Sequence, residues 1–348
     1  MNREIILDNF KVSEDSLPYV IAEIGHNHQG SLDQCKKLFI KAKNSGANAV
    51  KLQKRENKKL YTKTFYGSIY NSLNSFGKTY GEHREKLEFG YNEYAELFKF
   101  SKELGITMFA TPFDFYSLEF LEKFDCPFYK VASSDITFVQ LIKKISETNK
   151  PVIISTGYSS LEDIDRILDT INFKNGVAFL QCVSVYPAGA DQINLNVISE
   201  MKKRYPNNII GYSGHDSGIV IPLAAYLKGA RIIEKHFTLS RSLKGSDHSM
   251  SLEPEGMSKM CNGFEKIKNA LGTNVKEKMS YEYKYINKMK KSIVAAKDLK
   301  KGHIITSNDI DFKSPGGGLD CYQDELIIGK KINKDINQEH LITFLDLE

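Results

Sequence analysis

Short apolar segments alternate with longer amphipathic segments from residue 19 to about residue 272. The apolar segments are rich in β-branched residues, and the segments between them repeat their apolar positions with the period of an α-helix. The pattern predicts eight β-strands, at residues 19–25, 49–53, 107–113, 128–133, 152–156, 177–183, 209–215 and 232–238. Helices are predicted most clearly at residues 31–45, 91–104, 161–171, 195–204 and 219–228.

Eight strand–helix units predict an α/β fold, a (β/α)8 TIM barrel over residues 1–273. Strands that are apolar along their whole length are typical of a parallel sheet whose outer face is covered by helices. An open, doubly wound sheet is the alternative. The Gly-x-Gly-x-x-Gly fingerprint of its dinucleotide-binding version is absent after the first strand, where the chain reads Glu23-Ile24-Gly25-His26.

Three segments depart from the alternation. A long insertion, residues 54–90, follows the second strand, and an insertion of that length usually has a functional role. Residues 274–288 are polar and predict a linker, and residues 289–348, with a Pro-Gly-Gly-Gly turn at 315–318, predict a small β-rich domain. Beyond the strand–helix alternation, no internal repeat is expected.

Composition narrows the class of protein. The 348 residues carry 48 Lys and Arg against 43 Asp and Glu, and the basic residues are spread along the chain, which disfavours a dedicated nucleic-acid binder. No apolar run approaches the roughly 20 residues of a membrane span, and the first residues lack the pattern of a secretory signal. We therefore expect a cytoplasmic protein that neither spans nor enters a membrane. Its five scattered cysteines predict free thiols.

Polar residues gather where the predicted strands end, which is the end of a TIM barrel that carries its active site. Every predicted strand contributes at least one such residue, so one shared pocket is expected. The polar candidates are Glu23, His26, Asn27, His28, Lys51, Gln53, Thr111, Lys130, Ser133, Ser134, Asp135, Ser155, Thr156, Ser184, Tyr186, Ser213, His215, Asp216, Glu234, His236 and Asp247, and Phe113 ends the third predicted strand beside Thr111.

Two histidines on neighbouring predicted strands suggest a metal site. His215 and His236 could hold one divalent ion through neutral imidazole nitrogens. Two protein ligands leave coordination positions open, which suits a Lewis acid better than a closed structural site. The alternative is that both are hydrogen-bonded core histidines.

Two lysines suggest an anion site. Lys51 and Lys130, with the hydroxyls of Ser133, Ser155 and Ser213, supply cations and donors for a phosphate and a carboxylate held at a fixed separation, as in phosphoenolpyruvate. Alternatively, one of the lysines forms a Schiff base, which would require a neutral amine.

Several long motifs resemble the sialic acid synthase family over nearly the whole chain. The C-terminal segments at residues 292–296, 298–302 and 328–330 resemble its antifreeze-like (SAF) domain. The barrel motifs are residues 21–30 (IAEIGHNHQG), 50–54 (VKLQK), 77–84 (GKTYGEHR), 87–89 (LEF), 129–133 (YKVAS), 155–157 (STG), 211–215 (GYSGH), 234–238 (EKHFT) and 244–254 (KGSDHSMSLEP).

The resemblance implies an enzyme that condenses phosphoenolpyruvate with N-acetylmannosamine, or its 6-phosphate, to give N-acetylneuraminic acid, or its 9-phosphate, and phosphate. It further implies a domain-swapped homodimer in which each SAF domain caps the partner's barrel. Alternatives are a synthase for a related nonulosonic acid such as legionaminic acid, another phosphoenolpyruvate-dependent keto-acid synthase, or an inactive sugar-binding or scaffold protein. The last would be expected to have lost Glu23 or the histidines, which are all present.

The resemblance also implies residue roles. It assigns proton handling and the attacking water to Glu23, and a catalytic divalent metal, most often Mn²⁺ with Mg²⁺ or Co²⁺ as alternatives, to His215 and His236. Phosphoenolpyruvate would be bound by Lys51, Thr111, Lys130, Ser133, Ser155, Ser184 and Ser213, and the sugar by Gln53, Phe113, Asp135, Tyr186 and Asp247.

Some positions depart from the family pattern. Asp135 stands where bacterial relatives often have Glu, Ser184 where some have Asn, and Ser314, after Lys313, lies at the turn where an Arg is usual. In the insertion, four basic residues are candidates for binding a sugar phosphate: Lys54, Lys78, His83 and Arg84.

Overall fold

The structure, a computed structural model, describes residues 3–348. Its contacts divide the chain into two units, Met1–Gly272 and Thr273–Glu348. Residues 274–288, predicted as a linker, fall within the second unit and contain the short helix Tyr283–Ile286. Among residues 3–348, no helix is both long and apolar enough to cross a membrane.

The first unit contains a short antiparallel hairpin followed by a closed barrel of eight parallel strands. The hairpin strands are β1 (Glu4–Leu7) and β2 (Phe10–Ser13). The barrel strands are β3 (Tyr19–Gly25), β4 (Ala49–Lys54), β5 (Thr107–Pro112), β6 (Tyr129–Val131), β7 (Val152–Ser155), β8 (Val177–Cys182), β9 (Ile209–Gly214) and β10 (Ile232–His236). Because β10 pairs with both β9 and β3, the sheet closes, which confirms the predicted barrel and excludes the open sheet.

Helices connect the strands, and the predicted ones occur within about two residues of their expected ends. α1 begins after Ser31, whose hydroxyl accepts from the Gln34 amide, and α5 ends at Gly105, whose left-handed φ of 71° favours glycine. The helices are α1 (Leu32–Asn44), α2 (Asn57–Leu60), α3 (Lys63–Tyr66), α4 (Tyr80–Leu87), α5 (Tyr91–Leu104), α6 (Phe115–Leu121), α7 (Val139–Ser146), α8 (Leu161–Thr170), α9 (Asn196–Arg204), α10 (Val220–Leu227) and α11 (Pro254–Leu271).

The second unit is small and packs around its own apolar cluster, which includes Ile293, Leu299 and Ile342. Its two strands, β11 (Ser292–Ala295) and β12 (Ile310–Lys313), pair antiparallel. Its helices are α12 (Tyr283–Ile286) and α13 (Asp324–Ile327).

The second unit contains an internal repeat, so the expectation of none was wrong. Residues 297–310 and 334–347 share Lys-Asp at their start and a His-x-Ile-Thr-x-x-Asp sequence near their end. In the first copy the carboxylate of Asp309 pairs with Lys297 and His303 at 2.8 and 2.9 Å. In the second, Asp346 pairs with Lys334 and His340 at 2.6 and 3.2 Å. The repeat is hard to recognise in the sequence because the two copies share polar residues that contact a buried Asp. They do not share a regular pattern of apolar residues.

Candidate active site

Alternation along β10 sends neighbouring side chains to different environments. Glu234 meets Lys51 of β4 and Ser213 of β9 inside the barrel, at 3.8 and 3.4 Å. Lys235, one position later, is fully buried on the other face and pairs with Asp216 at 3.0 Å. His236 returns to the face of Glu234, so one strand contributes two polar groups to the same cavity.

A buried charge centre lies at the ends of β3 and β4. Lys51 Nζ is 2.7 Å from Glu23 Oε2 and donates a hydrogen bond to Thr111 Oγ1 at 2.9 Å. Gln53 donates to the other oxygen of Glu23 at 2.6 Å. The Lys51 contact has the distance of an ion pair but not the angles of a hydrogen bond, and it leaves Glu23 Oε2 with no hydrogen-bond donor. An ion-paired ammonium is a poor nucleophile, so the geometry disfavours Lys51 as a Schiff-base lysine.

Lys130 forms a second cationic position beside the first. Its ammonium donates to Ser155 Oγ at 2.5 Å and to the Val131 carbonyl at 2.9 Å. Burial lowers the pKa of Lys130, while the nearby carboxylate of Glu234 acts in the opposite direction. For Glu234 itself, burial favours the neutral acid, but Lys130 and Lys51 prevail and hold the pKa below its usual value. The two lysines and Glu234 therefore form one electrostatic unit.

Hydroxyl groups meet around Gly157, just beyond the end of β7. The Gly157 amide donates to Ser133 Oγ at 2.9 Å. A Cβ at position 157 would collide with the hydroxyls of both Ser133 and Ser184, so only glycine leaves this space open. The three groups, each from a different strand end, form a small polar cradle of a size and chemistry that suit an anion.

The two candidate metal ligands lie side by side, with their ring centroids 5.5 Å apart. His215 donates from Nδ1 to the Val183 carbonyl at 2.8 Å, which leaves the Nε2 lone pair available. Burial and neighbouring His236 lower the pKa of His215 to about 4, so the ring is neutral near pH 7. His236 Nδ1 is a buried nitrogen with no hydrogen-bond partner, 3.7 Å from Asp247 Oδ2.

These features fit a divalent ion held by two imidazoles. Within residues 3–348, no three His, Cys, Asp or Glu side chains group as a metal cluster. The protein would therefore supply the two imidazoles and leave the other positions to water and substrate oxygens. The unpaired nitrogen of His236 argues against the alternative that both rings are fully bonded core histidines.

The predicted sugar-binding residues lie around the same mouth. Tyr186 packs its ring on His215, with centroids 3.9 Å apart. Asp247 lies beside His236. Burial alone would raise the pKa of Asp247, but His236 and a hydrogen bond from Ser246 outweigh it and lower that pKa. Phe113 packs against the guanidinium of Arg55 at 3.7 Å. Burial raises the pKa of Asp135 to about 6, and one of its oxygens has no hydrogen-bond partner.

Of the four basic candidates in the insertion, only Arg84 adjoins this mouth without an acidic partner. Lys54 is buried and pairs with Glu88 at 2.9 Å, and His83 accepts from the Phe76 amide at 3.1 Å. Lys78 is exposed. In the second unit, Lys313, next to Ser314, pairs with Glu339 at 2.7 Å.

The site includes three residues to which the sequence analysis gave no role: Glu234, Arg55 and His26. The signal for Glu234 was its position two residues before His236, on the same face of a strand. His26 directly follows the end of β3 and so had the signal of a strand-end polar residue, whereas Arg55 had no comparable signal. The two residues meet at 3.2 Å although 29 positions separate them.

The chain resembles known proteins over most of its length. Residues 38–276 match the NeuB family and residues 290–348 match the SAF domain. It is 38% identical to an N-acetylneuraminate-9-phosphate synthase of Drosophila melanogaster, over 93% of this chain and 94% of that protein. It is 35% identical to an N,N'-diacetyllegionaminic acid synthase of Campylobacter jejuni, over 93% of this chain and 98% of that protein.

A solved structure is similar as well. The N-acetylneuraminic acid synthetase of Leptospira borgpetersenii, in complex with citrate, superposes with a TM-score of 0.71 and 33% identity, covering 82% of this chain and 96% of that one. The motifs at the strand ends, the closed barrel and these matches agree. The chain belongs to the NeuB family, the sialic acid synthases, and ends in a SAF domain.

Proposed function

We propose that this chain condenses phosphoenolpyruvate with an N-acylated mannosamine-type sugar, forming a nonulosonic acid of the N-acetylneuraminate type and releasing phosphate. The observation that carries the proposal is that two buried lysines, a hydroxyl cradle and two adjacent imidazoles open into one barrel mouth. The similarity to N-acetylneuraminate-9-phosphate synthases supports the same reaction.

In this proposal the lysines hold phosphoenolpyruvate. Lys51 and Lys130 neutralise its carboxylate and phosphate, and the hydroxyls of Ser133 and Ser184 donate hydrogen bonds, with Ser133 oriented by the Gly157 amide. Fixing both ends of the molecule presents its C3 carbon to the sugar aldehyde, which reduces the entropic cost of bringing two substrates together.

His215 and His236 would hold a divalent ion, Mn²⁺ or else Mg²⁺ or Co²⁺. When bound, such an ion supplies Lewis-acid polarisation of the aldehyde oxygen. Tyr186 shields one face of His215, and Asp247 lies where it can accept a hydrogen bond from a sugar hydroxyl beside His236.

Glu23 would complete the reaction. Attack of C3 on the aldehyde forms the new carbon–carbon bond and leaves C2 cationic. Glu23 accepts a proton from water as the water oxygen bonds to C2, and this proton passes to the alkoxide that the aldehyde has become. The C2 hydroxyl then gives its proton to the departing phosphate as the C2–O bond to phosphate breaks, which yields the 2-keto acid and inorganic phosphate. Glu23 Oε2 contacts the Lys51 ammonium at 2.7 Å and accepts no other hydrogen bond, so it has a lone pair for that water.

A legionaminic-type product is the second candidate, because the Campylobacter jejuni relative is 35% identical over 93% of this chain. The product named for that synthase carries two N-acetyl groups, whereas N-acetylneuraminate carries one. The choice of sugar therefore distinguishes them.

Phosphate release from phosphoenolpyruvate tests the proposal. The protein, stripped with a chelator and supplied with Mn²⁺, is assayed with N-acetylmannosamine, its 6-phosphate and a diacetamido hexose, and without sugar. Release that requires both a mannosamine-type sugar and the metal is expected. Release without sugar, or none with any sugar, would contradict the proposal, and release with the diacetamido hexose alone would favour the second candidate.

We also propose that the chain acts as a domain-swapped homodimer. Four bulky side chains between residues 281 and 289 are largely exposed: Tyr281, Tyr283, Tyr285 and Met289, at 64–71%. Exposed aromatic groups in such density are typical of an interface. Sedimentation equilibrium is expected to give twice the chain mass of 39.5 kDa, and a monomer at micromolar concentration would contradict the proposal.

A further inference from the structure

Two guanidinium groups face the same imidazole beside the predicted sugar-binding residues. Arg55 Nη1 lies 3.2 Å from His26 Nε2, and Arg84 Nη1 lies 3.2 Å from His26 Nδ1. Arg55 is 6% exposed, and Arg84 is half-buried on α4. Burial and the two arginines keep the pKa of His26 well below its ordinary value, so its ring is neutral.

A neutral imidazole has one acceptor nitrogen and one N–H. It can accept a hydrogen bond from only one of the two arginines, and the other guanidinium then faces an N–H group. The arrangement therefore lacks an acceptor, although it places two cations close together in a partly buried space. Such an arrangement is unfavourable unless an anion joins it.

The protein supplies neither arginine with an acidic partner. Among residues 3–348, no carboxylate oxygen lies within 4.0 Å of the Arg55 or Arg84 guanidinium, whereas neighbouring Lys54 pairs with Glu88 at 2.9 Å. Arg55 donates to the Gln53 amide oxygen at 2.8 Å and packs on Phe113. Arg84 donates to Tyr80 Oη at 2.7 and 2.9 Å. These neutral partners orient the guanidiniums, and the carboxylates of Glu88 and Asp247 act on them only from beyond 4.0 Å.

The pair is continuous with the mouth of the barrel. Arg55 holds Gln53, whose amide in turn donates to Glu23 at 2.6 Å. Asp247, 3.7 Å from His236, feels the charge of Arg84. A ligand that contacts Asp247 and Gln53 near the histidines would therefore extend towards the two arginines.

We propose that Arg55 and Arg84 bind the phosphate ester at the far end of the acceptor sugar, so that this chain selects a hexosamine 6-phosphate over the free sugar. The inference rests on the proposed function, since it names the form of the sugar. Planar guanidiniums match phosphate oxygens in a bidentate manner, and Arg84 comes from the insertion after β4, outside the barrel framework.

The test compares N-acetylmannosamine with its 6-phosphate in the wild-type protein and in Arg84→Gln and Arg55→Gln. The wild type is expected to have a higher kcat/KM for the 6-phosphate. Each variant is expected to lower the ratio of the two kcat/KM values roughly 10- to 100-fold, the loss typical of a charge-assisted hydrogen bond, mainly through KM. Arg84→Lys is expected to recover part of the ratio. Lys86→Gln, an exposed position on the same helix, is the matched control and should leave the ratio unchanged.

Calorimetric titration with N-acetylmannosamine 6-phosphate separates this inference from the proposed function. If no sugar is turned over but the 6-phosphate binds to the wild type and not to Arg84→Gln, the arginine site stands and the proposed function fails. If the wild type uses both sugars equally, or the variants lower both kcat/KM values by the same factor, the arginine site is wrong while the condensation stands. Binding of neither sugar to the wild type contradicts both. Circular dichroism identifies a variant that has failed to fold. If either Arg55→Gln or Arg84→Gln does not fold, the ratio of kcat/KM values in the other variant tests the arginine site.

Discussion

The barrel mouth and the C-terminal unit both bury carboxylates almost completely, yet they treat them differently. Glu23 is 1% exposed, and so is Asp309. Both oxygens of Asp309 are bonded, one to Lys297 and the other to His303 and Thr306. Glu23 Oε2 contacts only the Lys51 ammonium, at 2.7 Å and without the angles of a hydrogen bond, and Glu234 Oε2 accepts no hydrogen bond.

Equal burial is thus accompanied by unequal hydrogen bonding in the two regions, while buried oxygens of Glu88 and Asp216, both paired with lysines, also lack a hydrogen bond. A buried charge with all its partners stabilises the fold, whereas a buried polar atom without a partner destabilises it unless a ligand completes it. In the C-terminal unit the same Asp arrangement occurs twice, which indicates a framework. At the barrel mouth the unpaired atoms, including His236 Nδ1, come from the ends of the neighbouring strands β3 and β10.

The largest expected effect is the loss of turnover in Glu23→Gln, which tests whether the buried carboxylate at the barrel mouth has a chemical role. The amide cannot accept the proton of water, so turnover should fall by about 10²–10⁴ while phosphoenolpyruvate still binds. Steady-state kinetics and calorimetry measure the two quantities. Glu255→Gln, exposed on α11, is the control. Full activity of Glu23→Gln would remove that residue from the chemistry.

The next largest effect is the difference in Mn²⁺ binding between a histidine variant of the barrel and one of the C-terminal unit. His236→Ala is expected to abolish measurable Mn²⁺ binding and nearly all turnover, because one of only two imidazole ligands is lost. His303→Ala, which removes a partner of Asp309, should lower thermal stability and leave Mn²⁺ binding intact. Calorimetric titration with Mn²⁺ measures metal binding in both variants, and thermal unfolding measures their stability. Equal Mn²⁺ affinity in wild type and His236→Ala would contradict the metal assignment.

Asp309→Asn should destabilise the C-terminal unit by about 2–3 kcal/mol, since hydrogen bonds from a charged lysine and from Thr306 are weakened together. Denaturant unfolding followed in the intact protein measures the change. Asp335→Asn, an exposed partner of Lys300, should leave unfolding unchanged. A similar decrease in the free energy of unfolding in the two variants would show that the buried Asp309 contributes no more to stability than the exposed Asp335.

The smallest effect concerns pH. Burial would raise the pKa of Asp346, but hydrogen bonds from Lys334 and Thr343 outweigh it and hold the pKa at about 2. Because the folded pKa lies below the usual 3.8, this stabilisation is complete above pH 4 and is lost as the pH falls towards 2. Thermal unfolding between pH 5 and 2 should show a shallower loss in Asp346→Asn than in wild type. Parallel curves would contradict this.

The sequence predicted the barrel closely because its strands are buried on both faces. Such strands have continuous apolar runs, and seven of the eight begin at the predicted residue, while the strand expected at 128–133 is the shorter Tyr129–Val131. The polar residues at the strand ends were predictable because parallel strands place their carboxyl ends together. Glu234 was visible as a strand-end residue, but the role of its charge depends on Lys51 and Lys130 coming from other strands.

Arg84 alone was a candidate from the sequence, but its meeting with Arg55 at His26 could not be predicted, for a physical reason. Arg84 and His26 are 58 positions apart and meet only because the insertion folds into α2, α3 and α4 beside the loop after β3. Helices of four residues carry little periodic signal, so the pattern shows only a polar stretch there. The lack of a carboxylate partner is likewise a property of the fold and not of any motif.

A crystal structure of the protein with phosphoenolpyruvate tests the central claim most directly, that the incompletely bonded groups at the barrel mouth are a substrate site. The ligand is expected between Lys51 and Lys130, with an anionic group at the hydroxyls of Ser133 and Ser184 and its C3 facing the side of His215 and His236. Phosphoenolpyruvate bound elsewhere, with the contact between Lys51 and Glu23 unchanged, would contradict the account.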